Sequence, residues 1–255
     1  MLSRISSLTG PIKPSKSSDI VREGLICCYE ISTPGSYSSA AGSTVTDLIG
    51  NSNALTINSP SYSSPGQSTG IPGYLAFNGT NQYLVTQTNL NTKLSPANTS
   101  TVISVFVWVY MSDNGVIVTE LGQAATNTGW HDSQIERVAG TVKFSVWNNG
   151  TGFASSIPTS TNTWYYIGFT YNGSTLTLTG YVNGVSAGSA VYTRTTPFNG
   201  SGLGLHYGLA SNDSTHLGDG TYANCRIGAF HVYNTAISTT QVLSNFNAQK
   251  NRYYP

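Results

Sequence analysis

Charge is what this sequence has least of: Asp, Glu, Lys and Arg together make up 8% of its 255 residues, against about 25% in ordinary globular chains. Eleven basic residues against ten acidic ones leave a formal net charge of +1. That excludes the broad basic face a nucleic-acid backbone needs, so no nucleic-acid partner is expected. Long hydrophobic runs are missing too. The longest, Val102–Met111, is interrupted by Ser104 and falls well short of the roughly 20 residues of a membrane span, so no membrane partner is expected. The opening MLSRISSLTGPIKPSK carries Arg4, Lys13 and Lys16 but lacks the apolar core of a signal peptide, and the ordinary secretory route is not expected. Cysteine is scarce: three residues form no disulfide framework. Cys27 and Cys28 are neighbours on an expected strand, which points them to opposite faces and keeps them from bonding to each other.

What the chain does have is aromatic bulk and β-forming residues. Aromatics make up 11% of it, with 16 Tyr and 4 Trp, enough large side chains to fill the space between two sheets. Solubility must rest on Ser, Thr, Asn and Gln. The length suits one large all-β domain. Thr163 to Ala190 reads as consecutive strands, with Trp164 to Tyr171 alternating in period two and turns expected at Asn172-Gly173 and Asn183-Gly184. Asn-Gly between such runs signals a hairpin, because both residues tolerate the positive φ of a type I′ turn. Thr101 to Met111, with Val, Ile, Phe and Trp on both faces, is expected to be a central buried strand, and Phe106, Trp108, Trp164 and Phe169 are expected in the core. Gly115 to Leu121, His131 to Val138 and Thr141 to Trp147 read as further strands. Near the end, Ser238 with Gln241 three residues on predicts a capped helix, whose face of Val242, Leu243 and Phe246 should lie across a sheet edge.

The stretch Trp164, Asn172-Gly173, Leu176, Tyr181-Val182-Asn183-Gly184 resembles the laminin-G-like branch of the concanavalin A-like lectin/glucanase family. So do Tyr74-Leu75-Ala76-Phe77-Asn78-Gly79-Thr80-Asn81-Gln82-Tyr83-Leu84, similar to that family's opening hairpin, and Gly218 to Ser238, similar to its closing strand and the start of its terminal helix. Val45 to Thr56 resembles its Asp-Leu loop leading into the second strand. The resemblance implies an all-β, two-sheet antiparallel jelly-roll sandwich over residues 20–255, with a short C-terminal helix. It also implies a closing strand beside the first, so that a bridge from Cys225 to Cys27 or Cys28 is one reading and free buried thiols the other. Ile20 to Leu25 and Asn245 to Tyr253 resemble laminin-G-like chains encoded by bacteriophages, especially marine ones.

Residues 1–19 read as an arm: Pro11 and Pro14 block helix and ladder, and the many serines supply no core. Leu2, Ile5, Leu8 and Ile12 are spaced along it as candidate anchors in pockets of a partner chain.

Chemistry has little to work with. Relatives that cleave glucans carry Glu-x-Asp-x-x-Glu on one strand, which this chain lacks. Glu120 stands alone by sequence; Asp132 and Glu136 share an expected strand face but lie about 13 Å apart, too far for either hydrolase geometry. No enzyme activity is expected. His131, His206, His216 and His231 are dispersed, with no zinc-ligand spacing. Relatives often hold calcium at the rim, and Asn78 and Asn81, standing where they carry Asp, weaken that case, so the expectation is no cofactor, with calcium the alternative. Trp130, His131, Asp132, Asn148 and His206 are candidate ligand-binding residues, an indole to stack on a sugar with imidazole, carboxylate and amide partners. The alternative for Trp130 is a cap on the core.

Two functional expectations follow from the resemblance. One is a non-enzymatic structural protein of a virion surface (capsid decoration, fibre or tail-associated component). It would be assembled in the host cytoplasm, held to other virion proteins by its arm, and homo-oligomeric. The other is a lectin-like module that binds host-surface glycans.

Overall fold

The computed structural model describes residues 20–65, 72–94, 101–125, 131–146, 152–192, 204–212, 217–218 and 220–254. The expected anchors Leu2, Ile5, Leu8 and Ile12 lie outside them, as do Trp130 and Asn148.

Two antiparallel sheets face each other. The first contains β1 (Leu25–Glu30), β4 (Ser61–Ser63), β5 (Tyr74–Asn78), β7 (Val102–Met111), β12 (Trp164–Asn172), β13 (Thr177–Val182), β14 (Val185–Val191) and β16 (Asn224–Tyr233). The second contains β2 (Thr44–Val45), β3 (Ala54–Ile57), β6 (Tyr83–Thr86), β8 (Gly115–Leu121), β9 (His131–Val138), β10 (Thr141–Phe144), β11 (Phe153–Ala154) and β15 (His206–Leu209). Their orders are β14-β13-β12-β7-β16-β5-β4, with β1 beside β16, and β11-β10-β9-β8-β15-β6-β3-β2. Neighbours distant in sequence, such as β7 and β16, carry the crossovers of a jelly-roll sandwich. One helix, α1 (Thr239–Tyr253), follows.

β7 is the centre of the first sheet, as its composition implies. Paired with β12 on one edge and β16 on the other, it buries both faces. Val105, Val107 and Val109 enter the core between the sheets with Ile167, Phe169 and Phe230, while Phe106 and Trp108 face the other way. That outer layer is closed by α1, which lies over the face of the sheet and not across an edge. Its buried side chains are Val242, Asn245, Gln249 and Tyr253, whereas Leu243 is 42% exposed. Apolar spacing misplaces the helix because two polar residues are what dock it. Its start is as expected, a capping box between Ser238 and Gln241.

The turns divide. Asn183 and Gly184, at φ 53° and 81°, make the expected two-residue hairpin between β13 and β14. Asn172-Gly173 does not turn the chain by itself: β12 and β13 are joined across Gly173 to Leu176, and the positive φ falls on Leu176. Gly173 is there for space, since a Cβ would sit 2.0 Å from Thr101 Oγ1. The opening hairpin is likewise absent. β5 belongs to the first sheet and β6 to the second, so the segment between them is a corner that crosses the sandwich. Asn78 shapes it, its Oδ1 accepting from the N–H groups of Thr80, Asn81 and Gln82. These contacts make Asn78 a turn residue in its own right.

Asp47 organises the loop between β2 and β3. Its Oδ1 accepts from Cys28 and Ile49 at 2.9 and 3.1 Å, and its Oδ2 from Asn51 and Ser52, both at 2.9 Å. One carboxylate thus satisfies four backbone N–H groups that burial would otherwise strand. All three cysteines are free and buried. β1 does pair with β16, but Cys27 stands opposite Val232 and Cys28 opposite His231, about 20 Å along the strand from Cys225, so the bridge is excluded.

Candidate functional site

The second sheet sorts its polar residues by the pleat. Directly opposed residues share a face. Tyr207 stands opposite Glu120, and Glu120 opposite Asp132. Tyr207 packs its ring on Phe230 of the first sheet, centroids 5.5 Å apart, so this row points into the sandwich. Glu120 is therefore not alone: it has Asp132 as its cross-strand neighbour and accepts a hydrogen bond from Gln134 Nε2. A register shift in β9 accompanies the change of face, leaving Asp132 inward and Glu136 outward. Glu136 accepts from Leu217 N at 2.8 Å and Gly220 N at 2.9 Å, and Lys143, opposite Glu136, donates to Leu217 O at 3.0 Å. The two side chains clamp a loop.

The alternate row faces outward and contains His206, Leu121 and His131 in register. This brings two of the expected ligand residues onto one face, two strand spacings or about 10 Å apart. Asp132 is not with them. Its own row turns it inward, and it is 2% exposed. His206 Nδ1 lies 2.9 Å from Thr86 O. In the neutral tautomer that nitrogen donates, which leaves Nε2 with a lone pair. Burial pulls the His206 pKa below its ordinary value, against the carbonyl hydrogen bond that favours the cation. The next outward row holds Thr119 and Ser133, both buried, with Thr119 Oγ1 3.0 Å from Ser211 Oγ. Gly208 makes room for that contact, since a Cβ there would meet Ser211 Oγ at 2.4 Å. The half-exposed end of this face is therefore its His131 rim.

A second polar cluster lies under α1. Glu30 Oε1 accepts from Gln249 Nε2, and Oε2 accepts from Arg252 and from Thr33 Oγ1, all at 2.9 Å. Gln249 Oε1 accepts from Trp108 Nε1 at 2.7 Å. Asn245 donates to Tyr233 Oη and accepts from Val21 N. Burial pushes the Glu30 carboxyl up, but His231 and the Arg252 guanidinium pull it further down, to about 2. Cys28, Glu30 and His231 bring a thiol, a carboxylate and an imidazole within 4.8 Å of one another, a donor set zinc could use. Both Glu30 oxygens are already occupied, however, and Arg252 sets a cation beside them. Burial raises the Cys28 thiol well above its ordinary range. The cluster anchors the helix. Sequence reading missed it because its members come from β1, β7, β16 and α1.

The chain belongs to the concanavalin A-like lectin/glucanases superfamily, whose family model matches residues 78–243. No curated protein sequence matches it. Among solved structures it is similar to Trypanosoma rangeli sialidase in complex with 2,3-difluorosialic acid, at 14% identity and a TM-score of 0.60, covering 91% of this chain and 34% of that one. It is similar to domain 4 of AbnA, a GH43 extracellular arabinanase of Geobacillus stearothermophilus in complex with arabinotriose, at 14% identity and a TM-score of 0.54, covering 87% and 97%. It is also similar to a botulinum neurotoxin type C structure described by cell entry dependent on two ganglioside molecules, at 13% identity and a TM-score of 0.58, covering 88% and 51%. The chain thus spans a third of the sialidase and half of the toxin chain. At these identities the likeness is one of fold.

Proposed function

We propose that this protein is a glycan-binding sandwich without hydrolytic activity. The observation that carries the reading is the sorting of side chains on the second sheet. The outward row contains His206 and His131, imidazoles whose ring nitrogens suit sugar hydroxyls, while the facing carboxylates Glu120 and Asp132 are turned into the interior. A glycosidase needs two carboxyl groups flanking a bond in an open cleft, and burial denies them that position. The saccharides bound by the structurally similar sialidase, arabinanase domain and toxin support the same class of ligand.

Titration with arabinotriose and with sialyllactose, followed by amide NMR, is expected to move signals of His131, Leu121 and His206 saturably, and His131→Ala is expected to weaken that response. Steady release of reducing ends from laminarin, abolished by Glu120→Gln, would overturn the non-enzymatic reading.

A second reading, that the module is a bacteriophage surface component held by residues 1–19, is favoured by one contact. The two segments that resemble phage-encoded chains meet, Val21 N donating to Asn245 Oδ1 at 2.8 Å, so the arm would leave the domain beside α1. Deleting residues 2–18 is expected to leave the melting transition unchanged while preventing incorporation into particles. Normal copy number in particles would reduce the arm to a tail.

A further inference from the structure

The outer face of the first sheet continues beyond the end of α1. There Ala76, Arg226, Tyr110 and Trp164 stand in one cross-strand row over β5, β16, β7 and β12. Tyr74, two residues before Ala76, shares the face. Arg226 is held between two rings, its Cζ 4.9 Å from the Tyr74 centroid and 4.6 Å from that of Tyr110. The rings are themselves fixed, since Trp164 packs on both, with centroids 6.0 Å from Tyr74 and 5.7 Å from Tyr110. Trp164 is in turn held by Tyr253 at 4.8 Å and by Tyr254 Oη, which donates to its carbonyl. Helix docking therefore sets the platform.

Among the described residues no hydrogen bond or ion pair engages the Arg226 guanidinium. A half-buried arginine clamped by aromatics keeps its planar fork of donors at low further entropic cost. Among the described residues no ion pair neutralises it. Asn224, exposed and two residues before Arg226 on the same face, adds an amide at the edge. A planar anion fits the fork in a bidentate manner, and the half-exposed tyrosine rings beside it would border the ring of a pyranose.

We propose that Tyr74, Tyr110 and Arg226 form a second binding site, on the opposite side of the sandwich from His131 and His206, for a saccharide bearing a carboxylate. The site does not depend on the rim of the second sheet binding sugar, and it is read on different atoms.

The test is a titration of the ¹⁵N-labelled full chain with glucuronic acid, glucose and acetate, following the Arg226 Nε–H signal. Glucuronic acid is expected to shift it saturably, with glucose and acetate inert at the same concentration. Arg226→Gln is expected to weaken glucuronate binding about tenfold or more, the worth of a charge-assisted hydrogen bond, with the melting transition unchanged. Arg226→Lys, which keeps charge and stem but loses the fork, is expected not to restore it. An equal response to glucose would remove the role of the guanidinium, and an equal response to acetate the role of the sugar ring. Full affinity in either variant would overturn the assignment.

Discussion

Replacing Trp108 with alanine is expected to destabilise the fold by about 3 to 5 kcal/mol, the range for truncating a large buried aromatic. Trp108 is fully buried on the outer face of β7, stacked on Tyr253 with centroids 4.1 Å apart, near Phe246 and Tyr166, and it donates to Gln249. The substitution removes the floor on which α1 rests and strands the Gln249 carbonyl. Equilibrium unfolding in urea should show a lower midpoint, together with earlier exchange of helix amides. A loss under about 1 kcal/mol would show that the helix does not depend on this side chain.

Replacing Glu30 with alanine should cost about as much by another route. Breaking a buried pair by removing one partner typically costs about 3 to 5 kcal/mol, because the other charge remains buried, and here Arg252 and Gln249 would both lose their acceptor. The same carboxylate sets an acid dependence. Its folded pKa, about 2, lies below the ordinary value of 4.5, so its contribution is full above the unfolded value and lost as pH falls from there through about 2. That contribution is about 3 kcal/mol by linkage. Stability of the wild type should therefore fall more steeply between those pH values than that of Glu30→Gln, measured as urea midpoints across the range. Parallel curves for the two proteins would show that Glu30 is not what titrates. Because Trp108 and Glu30 meet through Gln249, their double substitution is expected to cost less than the sum of the singles.

Local patterns in the sequence determined the strands and the family. The β-branched and aromatic run of β7, the Asn183-Gly184 turn and the Ser238–Gln241 capping box each act over a few residues, so their physics is complete in the sequence. The tertiary structure decided everything that depends on which strands become neighbours. Tyr74 to Leu84 has the pattern of a hairpin, yet its halves pair in different sheets, β5 between β4 and β16 and β6 between β3 and β15. Glu120 has no acidic neighbour in sequence and finds Asp132 only across the sheet, on β9, where the pleat turns Asp132 to the face opposite His131 and His206. The helix face was misjudged from apolar spacing because Asn245 and Gln249 look solvent-facing until Tyr233, Trp108 and Glu30 are placed beneath them. Arg226, with Tyr74 and Tyr110 on two other strands, has no signature in sequence at all: a cross-strand row is set by register, and register is a property of the folded sheet.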